Sequence, residues 1–342
     1  MHRTFSLLVL LFFIQPVSAH HSMTEYDMGS VTELQGEISS LNWRNPHIEL
    51  TLSVKDANGT ETLWEVEAQD VNSMARRGLL AGLVNVGDNI RIAGNASMRR
   101  TQAISITNLL LPNGTEIRTR GNPEPRWETE ENIGFGEVNV EQVLAEADLE
   151  AGRAQGLFRV WMRAEIGGFA QELPLTDSAL AHQERWTEAD DPTIQCIDSG
   201  IPAAIRLSPP HPMELSERQD GSITYHIELF DVVRTIYMNS DAAPLDQPAS
   251  ARGYSAGHWE DDVLVVNTSR INWPYFDHMA KIPLSESVEL QETFKLNGDG
   301  TQMTYELLVT DPSNFTETVS ANWLMNWRPD MEIQAYNCIP PE

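Results

Sequence analysis

Short runs of alternating apolar and polar residues, each closed by a turn signal, constrain this chain's fold more than any other feature. Successive side chains of a strand face opposite sides, so "HIELTLSV" and "ETLWEVEA" each describe a strand with one buried face. Between them "DANGT" carries the Asn-Gly signal of a tight hairpin. Upstream, "SVTELQGEISSLNW" is a long strand with a bend expected at Gly36. Downstream, "DVNSMARRGLL" begins with a capping Asp70 and spaces Val71, Met74 and Leu79 along one helix face. "VGDNIRIAGNA" and "QAISITNLLL" return to strands. Three strands, a helix and two strands is the order of an OB-type barrel, so residues 20–110 are expected to form one.

Residues 111–156 read as an acidic linker. "GNPEPRWETEENIGFGEV" is rich in Pro, Gly and acid and keeps no period, and "NVEQVLAEADLEAGRAQG" allows a short acidic helix. Residues 157–342 form the larger unit. "LFRVWMR" starts it, and "LTDSALAHQERW" is a helix capped by Thr176 or Asp177. After Cys196 strand follows strand. "SVELQETFKLNGDGTQMTYELLVTDP" is a hairpin turning on "NGDG", and "ETVSANWLMNWR" and "MEIQAYNC" complete the set. Roughly eight to ten short strands at turn-marked spacing predict an antiparallel barrel or curved sandwich. The fold class is mainly β: an OB-like five-stranded barrel followed by a larger antiparallel barrel.

His2 and Arg3, an apolar run from Phe5 to Ile14, a break at Gln15-Pro16 and the small residues Val17-Ser18-Ala19 read as a secretory signal cut after Ala19. The run is too short to span a bilayer; a retained anchor is the alternative. The chain is expected to be periplasmic or secreted. Its formal charge of −27 repels phosphate backbones and anionic membranes, which argues against nucleic-acid and membrane partners. The chain has two cysteines, Cys196 and Cys338. In an exported protein an even count predicts a disulfide, with two separate thiols as the alternative.

Several stretches hold residue types that chemistry needs. Cleavage after Ala19 makes His20 the first mature residue. Its amine and imidazole would chelate one metal, and His21 with His47 of "NPH" would complete a nitrogen-rich set suited to copper. A polar, unstructured start is the plainer reading, and no other cofactor is expected. In "TYHIELFDVVRTIYM", alternation puts His226, Glu228 and Phe230 on one face and Tyr225, Ile227 and Leu229 on the other. If the first face is inward, His226 and Glu228 share a pocket as acid and base. Arg234 on the next strand would clamp a carboxylate or hold Glu228. If that face is outward, both are simply solvated.

"GYSAGHWEDDVLVVNTSRINWPYFDH" sets Tyr254, His258 and His278 among Trp259, Trp273, Tyr275 and Phe276. Polar groups between aromatic walls are what a small-molecule pocket requires, although such aromatics commonly serve as core. No His-Glu-x-x-His, P-loop or dinucleotide fingerprint occurs, so the zinc-protease and nucleotide-dependent classes lack support. Three readings follow. The first is small-ligand binding in the larger domain. The second is a cofactor-independent isomerase, cyclase or hydrolase using His226, Glu228 and His258, with Tyr254 and Arg234 orienting the substrate. The third is copper binding at the mature N-terminus.

"AHHSMTEYD", "LQGEISSLNWRNPHIELTLSV" and "GDNIRIAG" resemble an uncharacterised family of exported bacterial proteins that open with Ala-His-His-Ser and carry a Trp-x-Asn-Pro-His motif. "CIDSGIP", "VVRTIYM", "GYSAGHWEDDVLVVNTSRIN" and the closing "YNC" resemble a second uncharacterised bacterial group, with Asp261 where that group usually has glycine. The resemblance implies an exported β-rich protein and no particular activity.

Overall fold

The computed structural model describes residues 25–340, apart from 121–122, 130, 135–139, 165–167, 171, 206–209 and 241. Its first unit contains β1 (Thr32–Asn42), β2 (Glu49–Lys55), β3 (Glu61–Glu67), α1 (Val71–Arg76), β4 (Asn89–Ala96) and β5 (Ala103–Leu110). Gly36 governs how β1 is used. Thr32 to Glu37 pair with β4, and Glu37 to Asn42 pair with β2. A Cβ at Gly36 would lie 2.2 Å from the Ser53 carbonyl oxygen, so glycine permits the close crossing between the two neighbours. β2 pairs with β3, β4 with β5, and β3 with β5 in parallel, which closes the five-stranded barrel. Ile38, Leu52, Ile90 and Ile92 fill it, and α1 adds Met74 to the same core. The Asp70 carboxylate caps α1, accepting the Ser73 amide at 2.8 Å.

The stretch expected to be a linker is in part built onto this barrel. β6 (Glu116–Arg118) pairs with β5, and β7 (Asn132–Gly134) pairs with β6. The fully buried Glu116 accepts the Arg126 and Trp127 amides at 2.9 and 3.2 Å. These strands are too short to show a period, which is why composition alone suggested a linker. The short helices α2 (Val140–Glu146) and α3 (Leu149–Gln155) follow.

The second unit comprises β8 (Val160–Arg163), β9 (Gly168–Phe169), α4 (Asp177–Arg185), β10 (Met213–Glu217), β11 (Ile223–Ile227), β12 (Val232–Met238), β13 (Tyr254–Glu260), β14 (Val263–Ser269), β15 (Glu289–Leu296), β16 (Gln302–Thr310) and β17 (Val319–Trp327). Among the described residues nine strands close a barrel in the order β8-β10-β11-β12-β13-β14-β15-β16-β17, with β9 added on β17. The pairs are antiparallel except β12–β13, which is parallel. Alternation sets the two faces: Met303, Tyr305, Leu307 and Val309 of β16 point in, while Thr304, Glu306 and Thr310 are exposed. Asp261, at the position where the resembled group has glycine, takes a left-handed φ of 53° in the β13–β14 turn. Asparagine and aspartate tolerate that region better than most residues.

"MEIQAYNC" is not a strand of this barrel. It runs as an extended tail between the two units, and its one bridge is Cys338 to Asn45 of the first unit. A Cys196–Cys338 disulfide, spanning 142 residues with the Cα atoms 5.6 Å apart, ties the tail down.

Candidate functional site

The interior of the large barrel holds a polar cluster among aromatics. Arg234 on β12 points inward and gives Glu292 on β15 two hydrogen bonds, at 2.7 and 2.5 Å. Tyr305 donates to the same carboxylate at 2.5 Å, and Ser255 and Thr268 accept from Arg234 at 3.2 and 3.3 Å. The guanidinium lies 4.6 Å from the Tyr225 ring centre, and Tyr305 stacks between Phe294 and Trp323. Both members of the ion pair are fully buried. Burial works against the Arg234 charge, but Glu292 outweighs it and raises the guanidinium above its ordinary value. Burial, with Glu292 alongside, pushes the Tyr305 hydroxyl well up. Sequence reasoning expected Arg234 to clamp a carboxylate and overlooked which one. The signal was present in "VELQETF", where alternation places Glu292 between the inward Leu290 and Phe294.

A second buried network joins the two units. Glu228, fully buried, receives Arg76 at the end of α1 through both guanidinium nitrogens and the Gln334 amide of the tail at 2.9 Å. His211 Nδ1 lies 3.1 Å from Glu228, and its Nε2 lies 3.3 Å from Asp70. Burial disfavours the His211 charge, but Asp70 and then Glu228 overcome it and raise the imidazole to about 9. Burial likewise opposes the Asp70 charge, yet His211 and Ser73 hold its carboxyl down at about 2. Ser73 Oγ also sits 3.3 Å from His211 Nε2, the spacing of a serine–histidine–acid array. Here the imidazolium is clamped between two carboxylates and has no free lone pair for a base. Ser73 is 1% exposed and donates its proton to Asp70. The arrangement is a clamp between barrels.

The acid–base residues expected to share one pocket are not brought together. β11 ends at Ile227, and Glu228 turns into a helical conformation, so the alternation stops one residue short of it. His226 therefore points outward and meets Asp231 at 3.2 Å, while Glu228 faces the first unit. His258 pairs with the exposed Glu260 at 3.0 Å. Tyr254 stacks on Tyr237 with ring centres 4.6 Å apart. Arg234 binds Glu292, not Glu228.

The expected ligand-binding aromatics also divide. Phe276 is core, packed between Phe169 and Phe315. Trp273 and Tyr275 contact each other at 5.9 Å, and Tyr275 adjoins His182. Trp259 is half exposed and meets Phe158, and His278 is partly buried three residues beyond Tyr275.

His20 and His21 lie outside the described residues. His47 Nδ1 stands 3.3 Å from the Ala68 carbonyl oxygen and 3.8 Å from Glu67. Among the described residues no group of three or more His, Cys, Asp or Glu side chains is placed to hold a metal ion. A groove of about 350 Å³ crosses the five-stranded barrel, lined by Tyr26, Glu49, Glu65, Glu67 and Arg100 among others. Tyr26 donates to Glu67 at 3.2 Å, and Arg100 bridges Glu65 and Tyr26.

Fold and site together define a two-barrel β protein whose units are clamped by buried charge, with a polar cluster inside the larger barrel. Residues 9–104 match the model of a family described as a family of unknown function, DUF6152. No curated protein matches the chain.

Proposed function

We propose that this is an exported two-domain protein whose large barrel binds a small, partly apolar ligand. The observation that carries the reading is the fully buried Arg234–Glu292–Tyr305 cluster, with Tyr225, Phe294 and Trp323 beside it. A buried ion pair contributes little net stability compared with well-packed apolar residues of the same volume. Convergent polar groups inside an apolar barrel are instead what orients a small molecule. The disulfide, the apolar leader and the absence, among the described residues, of a helix long and apolar enough to cross a membrane support export. Thermal melting of the delipidated protein against a metabolite and lipid panel tests the reading. At least one compound is expected to raise the melting temperature of the wild type and not of Glu292→Gln. A panel without any shift would refute it.

Copper binding at the mature N-terminus is a second reading, favoured by one contact. His47 and Tyr26 meet the same carboxylate, Glu67, and Tyr26 follows His20 by six residues. An extended segment of that length spans up to about 20 Å, enough to return to His47.

A further inference from the structure

Arg159, just before β8, is only 3% exposed. Its guanidinium carbon lies 4.7 Å from the Trp161 ring centre and 4.6 Å from that of Trp327. Nη2 donates to the Gly300 carbonyl oxygen at 2.7 Å. Nε and Nη1, also buried, meet no acceptor. Two other buried arginines differ: Arg234 has Glu292, and Arg328 has Asp330 at 2.7 Å. Among the described residues no carboxylate pairs with Arg159. Burial alone therefore acts on it, bringing the guanidinium down to about 10. The two indole faces offset part of the lost hydration, but they accept no hydrogen bond from the remaining N–H groups.

The surroundings are apolar and lightly covered. α3 lies over this end of the barrel with Gly152 against Trp327, where a Cβ would come 2.2 Å from the ring. Gly152 is the buried residue of α3, and none is buried in α2. The β15–β16 turn closes the other side through Gly300. Leu144, Ala147 and Leu149 of this cover pack against the core and are only partly buried. The missing element is an acceptor, and an oxyanion supplies it with charge-assisted hydrogen bonds.

We propose that Arg159 anchors the charged end of an anionic ligand, an organic carboxylate or sulfonate with an apolar body lying against Trp161 and Trp327. This rests on the binding reading above and names the ligand class. A chain with 50 acidic and 23 basic residues repels anions over its surface, so a desolvated cation is what would select one.

The test compares two fluorescent probes on the full mature protein: anionic 1-anilinonaphthalene-8-sulfonate and neutral N-phenyl-1-naphthylamine. The wild type is expected to bind the sulfonate about tenfold more tightly. Arg159→Met should lose that preference while its affinity for the neutral probe stays the same. Without probe, Arg159→Met should melt no lower than the wild type, because it removes an uncompensated buried charge. Equal binding of both probes by the wild type, or a preference retained in Arg159→Met, overturns the role of Arg159 and leaves barrel binding standing. An Arg159→Met protein that melts well below the wild type shows a structural guanidinium and also overturns it. Binding of neither probe removes both readings.

Discussion

Arg76 ends the helix of the five-stranded barrel with its guanidinium locked in a two-point ion pair to Glu228, which lies at the end of a strand of the larger barrel. Glu228 is fully buried, so removing Arg76 alone leaves its carboxylate with His211 as the remaining charged partner among the described residues. Arg76→Met is expected to destabilise the protein by about 3–5 kcal/mol, measured by urea unfolding. Arg76→Met with Glu228→Gln should recover most of the loss. A double variant as unstable as the single would show that the pair does not act as a unit.

The same junction should respond to pH. His211 is raised to about 9 in the fold, against an unfolded value of about 6.5, so its contribution is complete below about pH 6.5 and is lost as pH rises through 9. Asp70, held at about 2, contributes above about pH 4 and loses its effect as pH falls through 2. Unfolding free energy should therefore fall between pH 6.5 and 9.5, by on the order of 3 kcal/mol. His211→Gln should flatten that slope. An unchanged slope in the variant would place the pH dependence elsewhere.

The tail is held at both ends of the clamp. Asn45 of "NPH" donates to the Tyr336 carbonyl oxygen, the Asn45 carbonyl oxygen accepts the Ile339 amide at 3.1 Å, and the Tyr336 amide donates to Asp231 at 3.0 Å. Cys338→Ser is expected to lower stability by about 3–5 kcal/mol, given the long loop the disulfide closes. It should also expose 329–338 to proteolysis. A tail that stays protected in Cys338→Ser would mean that the hydrogen bonds suffice.

Gly36→Ala tests the strand crossing. With no space before the Ser53 carbonyl oxygen, the added methyl should cost about 1–3 kcal/mol and loosen β1 from β2, read as faster amide exchange in residues 37–42. Wild-type exchange would refute the close-approach argument.

For copper, protein beginning at His20 should bind about one equivalent, and protein extended by Val17-Ser18-Ala19 markedly less, because the extension removes the free amine next to His20. Equal binding by the two forms would end the amine-chelate reading.

Most of the architecture was legible because alternation and turn chemistry are local. "DANGT", Asp70 and "NGDG" each fixed an element, and the three-strand, helix, two-strand order implied the small barrel. What depended on distant partners was not legible. Glu228 follows an alternating strand in sequence, but the strand ends before it, and its partners lie 152 and 106 residues away. His211 sits in "SPPHPM", which has no periodicity to mark a buried imidazole. The motifs "NPH" and "YNC" looked like separate signatures of two units. They meet at Asn45 and Cys338, in an isolated bridge between the first unit and the tail.

Native mass spectrometry of the protein purified gently and without delipidation tests the central claim most directly. The account predicts a one-to-one small-molecule adduct on the wild type that is lost in Glu292→Gln. A wild-type spectrum free of any adduct, together with a melting temperature that no compound shifts, would contradict it.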